Sequence, residues 1–414
     1  MARDFHVLED FDLDGKTVLC RVDINSPIDP GSGRLLNDAR LREHLVTLRD
    51  LRGAKVALLA HQSRPGKDDY TTLEAHAERL GYLLGRPVTY VDSLFGSSAL
   101  TAIDAMSAGD VVLLENARFY AEEEALADAK PEKMANTHIV RRLAPHAQYF
   151  CLDAFAAAHR AQPTLCGFAE VLPTFAGRVM QRELEMLDRA MTSTERPKIA
   201  IFGGIKIDDS IEVTKHMLAA NVVEKVLTTG GVATAFLQAQ GHDLGSPTTE
   251  FMRKEIEGYD ALVEQCTLLL TKFLGRIEVP TDLVANNNGH RQALRLKELP
   301  AAHPIADIGL DTIVRYGAEI AAAKTVILNG PAGVFEIEEF STGTRELFRA
   351  VAESEAFTVV GGGHTVAAVE QYGLQDKIDH VSTGGGALIH YLSGKTLPLV
   401  EALRRSRKKF PKAA

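Results

Sequence analysis

Four apolar runs in the first half of the sequence end on side chains suited to holding an anion. Arg21 closes KTVLCR (16–21), with Asp23 and Asn25 behind it, and His61 and Arg64 follow KVALLA (55–60). Arg118 follows DVVLLE (110–115), and His159 and Arg160 follow QYFCLD (148–153). Arg40 lies in the first turn of a helix opened by Asn37, close to the same edge. Arginine presents a planar fork of donors that matches phosphate and carboxylate oxygens. Any one of these residues alone reads as a surface salt bridge. Four successive run ends delivering cations to one edge point instead to a small, multiply charged anion.

The second half ends its apolar runs on glycine. Gly203-Gly204, Gly230-Gly231, Gly330 with Gly333, Gly361–Gly363 and Gly384–Gly386 form five clusters, most of them directly behind such a run. Glycine lets backbone N–H groups close on a phosphate at a helix N-terminus, where the helix dipole favours negative charge. A single pair is ordinarily a tight turn; five at equivalent positions favour a nucleotide cleft. GGGHTV (361–366) approaches the dinucleotide fingerprint but has Val366 at its sixth position, which weakens a hydride-transfer reading. GKT occurs at 15–17 and 394–396, but Asp10 and Ile389 stand where a P-loop needs its first glycine. No P-loop is present.

The elements that position these residues alternate along the chain. Continuous apolar strands (Lys16–Arg21, Lys55–Ala60, Pro87–Val91, Asp110–Glu115, Gln148–Asp153, then Lys198–Phe202, Lys225–Thr229, Lys324–Leu328 and Phe357–Val360) are separated by helical patterns. The helix after Asn37 carries Leu41, Leu45, Leu48 and Leu51 on one stripe, and another runs from about Thr72 to Leu84 with Gly85 as its stop. This rhythm predicts an α/β fold with parallel sheets covered on both faces. A chain of 414 residues exceeds one ordinary core, so two doubly wound, Rossmann-like domains are expected. Their ranges are 1–175 and 176–394, joined by a helical hinge beginning near Ala176, with about 395–414 packing back near the first. Asn286–Pro300 reads as a loop with at most one short strand, and Arg404–Lys412 as a solvated terminal helix and tail.

Composition narrows the function. Net charge is −9, which argues against nucleic acid as a partner. No apolar run approaches a membrane span, and the charged N-terminus does not resemble a signal peptide. A cytoplasmic protein is expected, a monomer with a homodimer as the alternative. Cys20, Cys151, Cys166 and Cys266 form no paired spacing, which argues against a disulfide framework or a zinc site.

In order, RVDINSP (21–27), AHQSRP (60–65), LLENARF (113–119), DAFAAAHRA (153–161), FGGIK (202–206), NGPAGVFE (329–336), GGGHTVAAVE (361–370) and STGGGA (382–387) resemble the signature segments of phosphoglycerate kinases. The resemblance runs from about Phe11 to about Arg405 and is closest to the archaeal branch. It implies that Asp23, Asn25, Arg40, His61, Arg64, Arg118 and Arg160 bind the triose. It further implies that Lys206 contacts the transferring phosphoryl group and Glu336 the ribose. Asn329 and Gly362, Gly363, His364 and Thr365 lie by the nucleotide phosphates, and Gly230 and Gly231 flank the adenine. The chain departs from the family pattern at Ser210, which replaces a second lysine, and at His364, which replaces the aspartate credited with magnesium. Leu152 and Ala156 replace an asparagine and a glycine.

The resemblance implies 3-phosphoglycerate + ATP ⇌ 1,3-bisphosphoglycerate + ADP, with ATP or ADP as co-substrate and Mg²⁺ carried mainly by the nucleotide. No protein metal ligand is assigned. The acceptor carboxylate is already ionised at pH 7, so the step needs alignment and charge stabilisation rather than a base. Arg40 and Lys206 are the expected catalytic residues, and domain closure is expected to bring them together and expel water. Two other readings compete. A ligase or kinase acting on another acid would need a less cationic pocket. A regulator without catalysis is suggested by Ser210 and His364 but opposed by the presence of both Arg40 and Lys206.

Overall fold

A computed structural model describes residues 3–411. The chain divides into two compact units, one running to Leu184 and resuming at Thr396, the other spanning Glu185–Lys395. The division falls inside the helix Arg178–Thr192.

The first unit is built on a seven-stranded parallel sheet. Its order is His6–Val7, Thr174–Ala176, Tyr149–Leu152, Thr17–Arg21, Lys55–Leu59, Val111–Leu114 and Thr89–Val91. Thr17–Arg21 is buried at every position, as a strand flanked on both edges and covered on both faces must be. The chain proceeds from this strand to Lys55–Leu59 on one side, and Tyr149–Leu152 is added later on the other. Strand order therefore reverses between Thr17–Arg21 and Tyr149–Leu152, and such a reversal opens a crevice at the carboxyl ends.

In the second unit a six-stranded parallel sheet runs Ile277–Glu278, Lys225–Thr228, Lys198–Phe202, Thr325–Asn329, Phe357–Gly361, His380–Val381. Its order reverses between Lys198–Phe202 and Thr325–Asn329, the strands followed by Gly203 and Gly330. Each unit thus places one glycine-rich or arginine-rich strand end at its own reversal.

Local departures from the sequence expectation have physical causes. The single helix expected after Asn37 is two, Ala39–Glu43 and Leu45–Asp50, broken at His44. The stripe Leu41, Leu45, Leu48 and Leu51 stays buried across the break, and Asn37 Oδ1 accepts the Ala39 amide at 2.7 Å. Gly85, at φ 69°, ends the helix Glu74–Leu84, a left-handed stop that favours glycine.

The segment read as the loop Asn286–Pro300 is instead the heart of a third, antiparallel sheet. It pairs His290–Arg295 with Asp282–Asn287, which pairs with Ile305–Ile308. The hairpin turns at Asn288 and Gly289, with φ 51° and 93°, the positive pair that a two-residue turn requires. The strand His290–Arg295 is exposed or half-buried throughout, so it carries no apolar alternation to announce it.

The C-terminal helix Pro398–Lys409 buries Leu399, Val400 and Leu403, while Arg404 and Arg405 pair with Asp4 and Glu170. It is an anchored helix rather than a solvated one; Lys412 lies outside the described residues. All four cysteines are buried free thiols, with Cys20 opposite Cys151 on neighbouring strands. Among the described residues no helix is long and apolar enough to cross a membrane.

The third sheet is tied to the helix Leu310–Ala322 by one carboxylate. Asp282 accepts the amides of Asp311 and Thr312 at 3.0 and 2.8 Å and the Thr312 hydroxyl at 2.6 Å. Asp282→Ala should cost about 2 kcal/mol through these lost caps. The loss should appear as faster amide exchange along Leu310–Ala322. Unchanged exchange there would show that the cap carries no weight.

Candidate active site

At the reversal in the first unit Arg21 is fully buried. Its Nε donates to Thr164 Oγ1 at 3.0 Å, and that hydroxyl donates to Glu123 Oε1 at 2.5 Å. Its Nη2 lies 3.0 Å from His61 Nδ1. Arginine can only donate, so His61 accepts at Nδ1 and carries its proton on Nε2. Burial lowers the His61 pKa well below the ordinary value; Asp23 opposes this, while Arg21, Arg118 and Arg160 reinforce it. His61 is therefore a neutral hydrogen-bond donor.

Asp23 stands two residues after Arg21, with Oδ2 2.9 Å from Arg40 Nη1. Burial alone would raise its carboxyl pKa, but Arg40, Arg21 and the Asn25 amide outweigh that and hold it below the ordinary carboxylate range. Arg40 keeps 43% of its side chain exposed, so the ion pair aims a guanidinium that still faces outward. Asn25 Oδ1 accepts the Ser63 amide at 2.7 Å, and the Ser63 carbonyl accepts from Arg118 Nη1. Arg118 Nε lies 2.9 Å from Glu124 Oε1 as an ion pair, yet its N–H is not aimed at any acceptor in the structure. Burial lowers the Arg118 pKa, and the neighbouring charge of Arg160 lowers it further. Arg160 is half-buried beside His159, whose Nε2 is 3.4 Å from its Nε. Arg64 sits one residue beyond Ser63 and is exposed. Asp23, Asn25, Arg40, His61, Arg118 and Arg160 are thus linked by direct bonds or by mutual charge, and Arg64 shares the loop that carries Ser63.

The reversal in the second unit is built from backbone. Gly330 has φ 93°, and a Cβ there would lie 2.2 Å from the Gly203 carbonyl oxygen, so only glycine lets the two strand ends meet. Beside them is a cavity of about 200 Å³ lined by Gly230, Gly231, Glu336 and His364, with Ile205, Phe251 and Val334 among its apolar walls. Those three apolar side chains are 48%, 50% and 42% exposed, a large apolar surface for a flat ligand to cover. Next to the cavity Gly362, at φ 91°, begins the helix Gly363–Gln371. Thr365 Oγ1 accepts the Gly330 amide at 2.7 Å, and Asn329 Nδ2 donates to the Gly361 carbonyl at 2.9 Å. Asn329, Gly362 and Thr365 therefore form one connected turn, with Gly363 and His364 exposed on its helix. Lys206 is exposed at the start of the helix Ile207–Ala219. Ser210, one turn on, is buried and donates back to the Lys206 carbonyl at 3.0 Å. Among the described residues no group of three or more His, Cys, Asp or Glu could hold a metal, and His364 offers an imidazole where Mg²⁺ prefers oxygen. These residues do not fit a protein-built magnesium cage.

A family model for phosphoglycerate kinase matches residues 8–395. The chain belongs to the phosphoglycerate kinase family. It is 49% identical over 407 residues to a phosphoglycerate kinase of Thermoplasma acidophilum, covering 98% of this chain and 99% of that one. It is 48% identical over 413 residues to phosphoglycerate kinase 2 of Methanosarcina acetivorans, covering 100% and 98%. The crystal structure of the phosphoglycerate kinase from Pyrococcus horikoshii matches with a TM-score of 0.90 at 41% identity, over 98% of this chain and 100% of that one. The structure of the phosphoglycerate kinase from Coxiella burnetii matches with a TM-score of 0.80 at 31% identity, over 96% and 98%. Phosphoglycerate kinases use ATP or ADP as co-substrate.

Several residues around these sites carry no signal in the sequence reading. Glu123 and Thr164 offset the charge of Arg21 from segments to which the sequence pattern assigns no element. Phe251 and Ile305 wall the cavity from elements outside the strand-end pattern. Asp307, also in that wall, belongs to the strand Ile305–Ile308 of the antiparallel sheet, to which the sequence pattern assigned no element. It accepts the Gly343 amide at 2.9 Å and Arg291 Nη1 at 3.1 Å.

Burial pushes the Asp307 pKa up to about 6, against the pull of the Gly343 and Ile308 amides and Arg291. The folded state thus favours the protonated carboxyl, and stability from this group is lost as pH rises from about 4 to about 6. Asp307→Asn should remove that slope. Thermal midpoints measured from pH 4 to 7 should fall relative to the variant across this window in the wild type only. Parallel curves would show an ordinary carboxyl.

Proposed function

We propose that the linked guanidinium cluster of the first unit binds the phosphoglycerate and the glycine-lined cavity of the second binds the adenine nucleotide. The observation that carries this is the contrast between the two strand-order reversals, one equipped with fixed charge and the other with bare backbone. The chain catalyses reversible phosphoryl transfer between 1,3-bisphosphoglycerate and ADP, giving 3-phosphoglycerate and ATP in glycolysis and gluconeogenesis. In this assignment it acts as a monomer on small molecules in the cytoplasm.

The chemistry asks little of acids and bases. The attacking carboxylate of 3-phosphoglycerate is ionised at pH 7, and the transferring group passes through a loose transition state that needs positioning and positive charge. Arg118, Arg160 and Arg64 take the 3-phosphate, with neutral His61 donating its Nε2–H and Asn25 completing the triose pocket. Asp23 holds Arg40, whose charge meets the transferring group. Lys206 serves the same charge from the nucleotide side. Glu336 takes the ribose hydroxyls, Gly230 and Gly231 border the base, and the turn Asn329, Gly362, Gly363, His364, Thr365 receives the phosphates at a helix N-terminus. Mg²⁺ arrives on the nucleotide, held by phosphate oxygens and water.

A coupled assay for ADP formation from ATP and 3-phosphoglycerate tests the reaction; no ADP above the ATP-only control would sink it. Arg40→Ala should lower kcat by about a hundredfold or more with a small change in KM, because its charge matters most in the transition state. Arg118→Ala should chiefly raise the KM for 3-phosphoglycerate. A kcat within a few-fold of wild type for Arg40→Ala would refute its role.

His364 tests the metal assignment. His364→Asp supplies a hard oxygen ligand beside the phosphate turn, so activity titrated against free Mg²⁺ at saturating nucleotide should show a lower midpoint than wild type. An unchanged midpoint would place the ion away from this position.

A further inference from the structure

His44 has no role in the assignment above, yet it is only 3% exposed and interrupts the helical stretch that carries Arg40. Its Nδ1 lies 2.8 Å from Asp153 Oδ2. Its Nε2 lies 3.1 Å from both the backbone nitrogen and the backbone oxygen of Asp23. Asp153 is fully buried, and its Oδ1 accepts the amides of Val179 and Met180 at 2.9 and 3.3 Å, in the first turn of Arg178–Thr192. All these groups belong to the first unit.

The proton positions follow from the partners. An ionised carboxylate accepts only, so the Nδ1 of His44 carries the hydrogen. In the neutral ring Nε2 is then an acceptor, and the Asp23 N–H points at it with hydrogen-bonding geometry. A buried amide needs such an acceptor. At the same 3.1 Å the Asp23 carbonyl oxygen can accept from a protonated Nε2, so the ring is bonded to the Asp23 backbone in either form. Asp153 thus fixes Nδ1 and orients the ring so that Nε2 meets the Asp23 backbone.

We propose that His44 is a positioning residue for phosphoryl transfer: its ring, fixed by Asp153, holds the Asp23 backbone where the Asp23 carboxylate can aim Arg40. Two routes converge on Arg40. His44 ends the helix Ala39–Glu43 on which Arg40 sits, and it braces the residue 2.9 Å from the Arg40 guanidinium. Displacement of a charge-stabilising group by about 1 Å costs on the order of a hundredfold in rate, so a slack Asp23 is costly without any lost contact to substrate. The inference rests on the role given to Arg40 under Proposed function.

The test compares His44→Phe, His44→Gln and Arg40→Ala in the full chain. Phenylalanine fills the space without bonding, and kcat should fall about tenfold with the KM for ATP within about twofold of wild type. Glutamine offers a carbonyl that can accept the Asp23 amide, and kcat should recover to within about threefold of wild type. A role in stability alone would lower the thermal midpoint of both variants without separating their kcat values, and would overturn the proposal. Nitrogen-15 spectra of the wild-type histidines supply a readout independent of how the variants fold. His44 should be protonated at Nδ1, where Asp153 holds it, and a ring bare at Nδ1 would also overturn the proposal. Loss of kcat in Arg40→Ala without loss in a folded His44→Phe rejects the His44 role alone. Loss in His44→Phe with Arg40→Ala unaffected rejects the Arg40 role and leaves His44 acting on the triose pocket through Asp23.

Discussion

Arg21 sets a permanent positive charge at the end of a central strand with none of its surface reaching water. A charge so placed costs several kcal/mol unless neighbouring groups offset it, and the first unit is arranged around that offset. Thr164 relays it to Glu123, the carbonyls of Val22 and Leu59 accept from it, and His61 turns Nδ1 toward it. Because His61 must accept on that side, it has a single hydrogen left to offer and no charge to add. Arg40, Arg64, Arg118 and Arg160 remain to supply positive potential to a ligand. The pocket stays cationic in a chain of net charge −9 because its acids, Glu123, Glu124 and Asp23, are already committed to holding cations in place.

The same topological rule yields two unlike sites. In each parallel sheet the strand order reverses beside the strand that ends at Arg21 or precedes Gly203, and the crevice at such a reversal is where ligands enter α/β proteins. The first unit fills its crevice with long side chains held by a bonded lattice. The second clears its crevice of side chains, so that Gly203 and Gly330 meet backbone to backbone and the helix Gly363–Gln371 begins at Gly362 beside them. Fixed charge recognises a small polyanion by matching its oxygens. Bare backbone with apolar walls such as Phe251 and Val334 suits a ligand that is flat at one end and anionic at the other, as the proposed assignment requires.

The parallel sheets were legible because strands buried on both faces write continuous apolar runs, as in KTVLCR and KIAIF. The strand-end residues were legible because such folds expose function there. The charge state of His61 was not, since it depends on Arg21 reaching it from another strand. His44 sits three residues after Leu41, among the stripe of its helix, and a polar residue in that place is itself a sign of a buried partner. The antiparallel hairpin was missed because His290–Arg295 is polar on both faces, although Asn288-Gly289 is a strong turn signal. Glu123 and Thr164 gave no local sign; only the fold brings them under Arg21.

That polar strand has a consequence beyond its own unit's fold. His290–Arg295 is at the margin of its three-stranded sheet, where free N–H and C=O groups would template the addition of a foreign strand. The Arg291 and Arg295 amides, however, are already taken by the Glu339 and Glu298 carboxylates. His290, Arg291 and Arg295 give this margin a run of bulky, ionisable side chains, and Arg291 is further fastened to Asp307 and the Glu339 carbonyl. A second copy approaching edge to edge would have to strip water from these groups and bring like charges face to face. The dull sequence that hid the strand from pattern reading is thus one that opposes growth of the sheet between molecules.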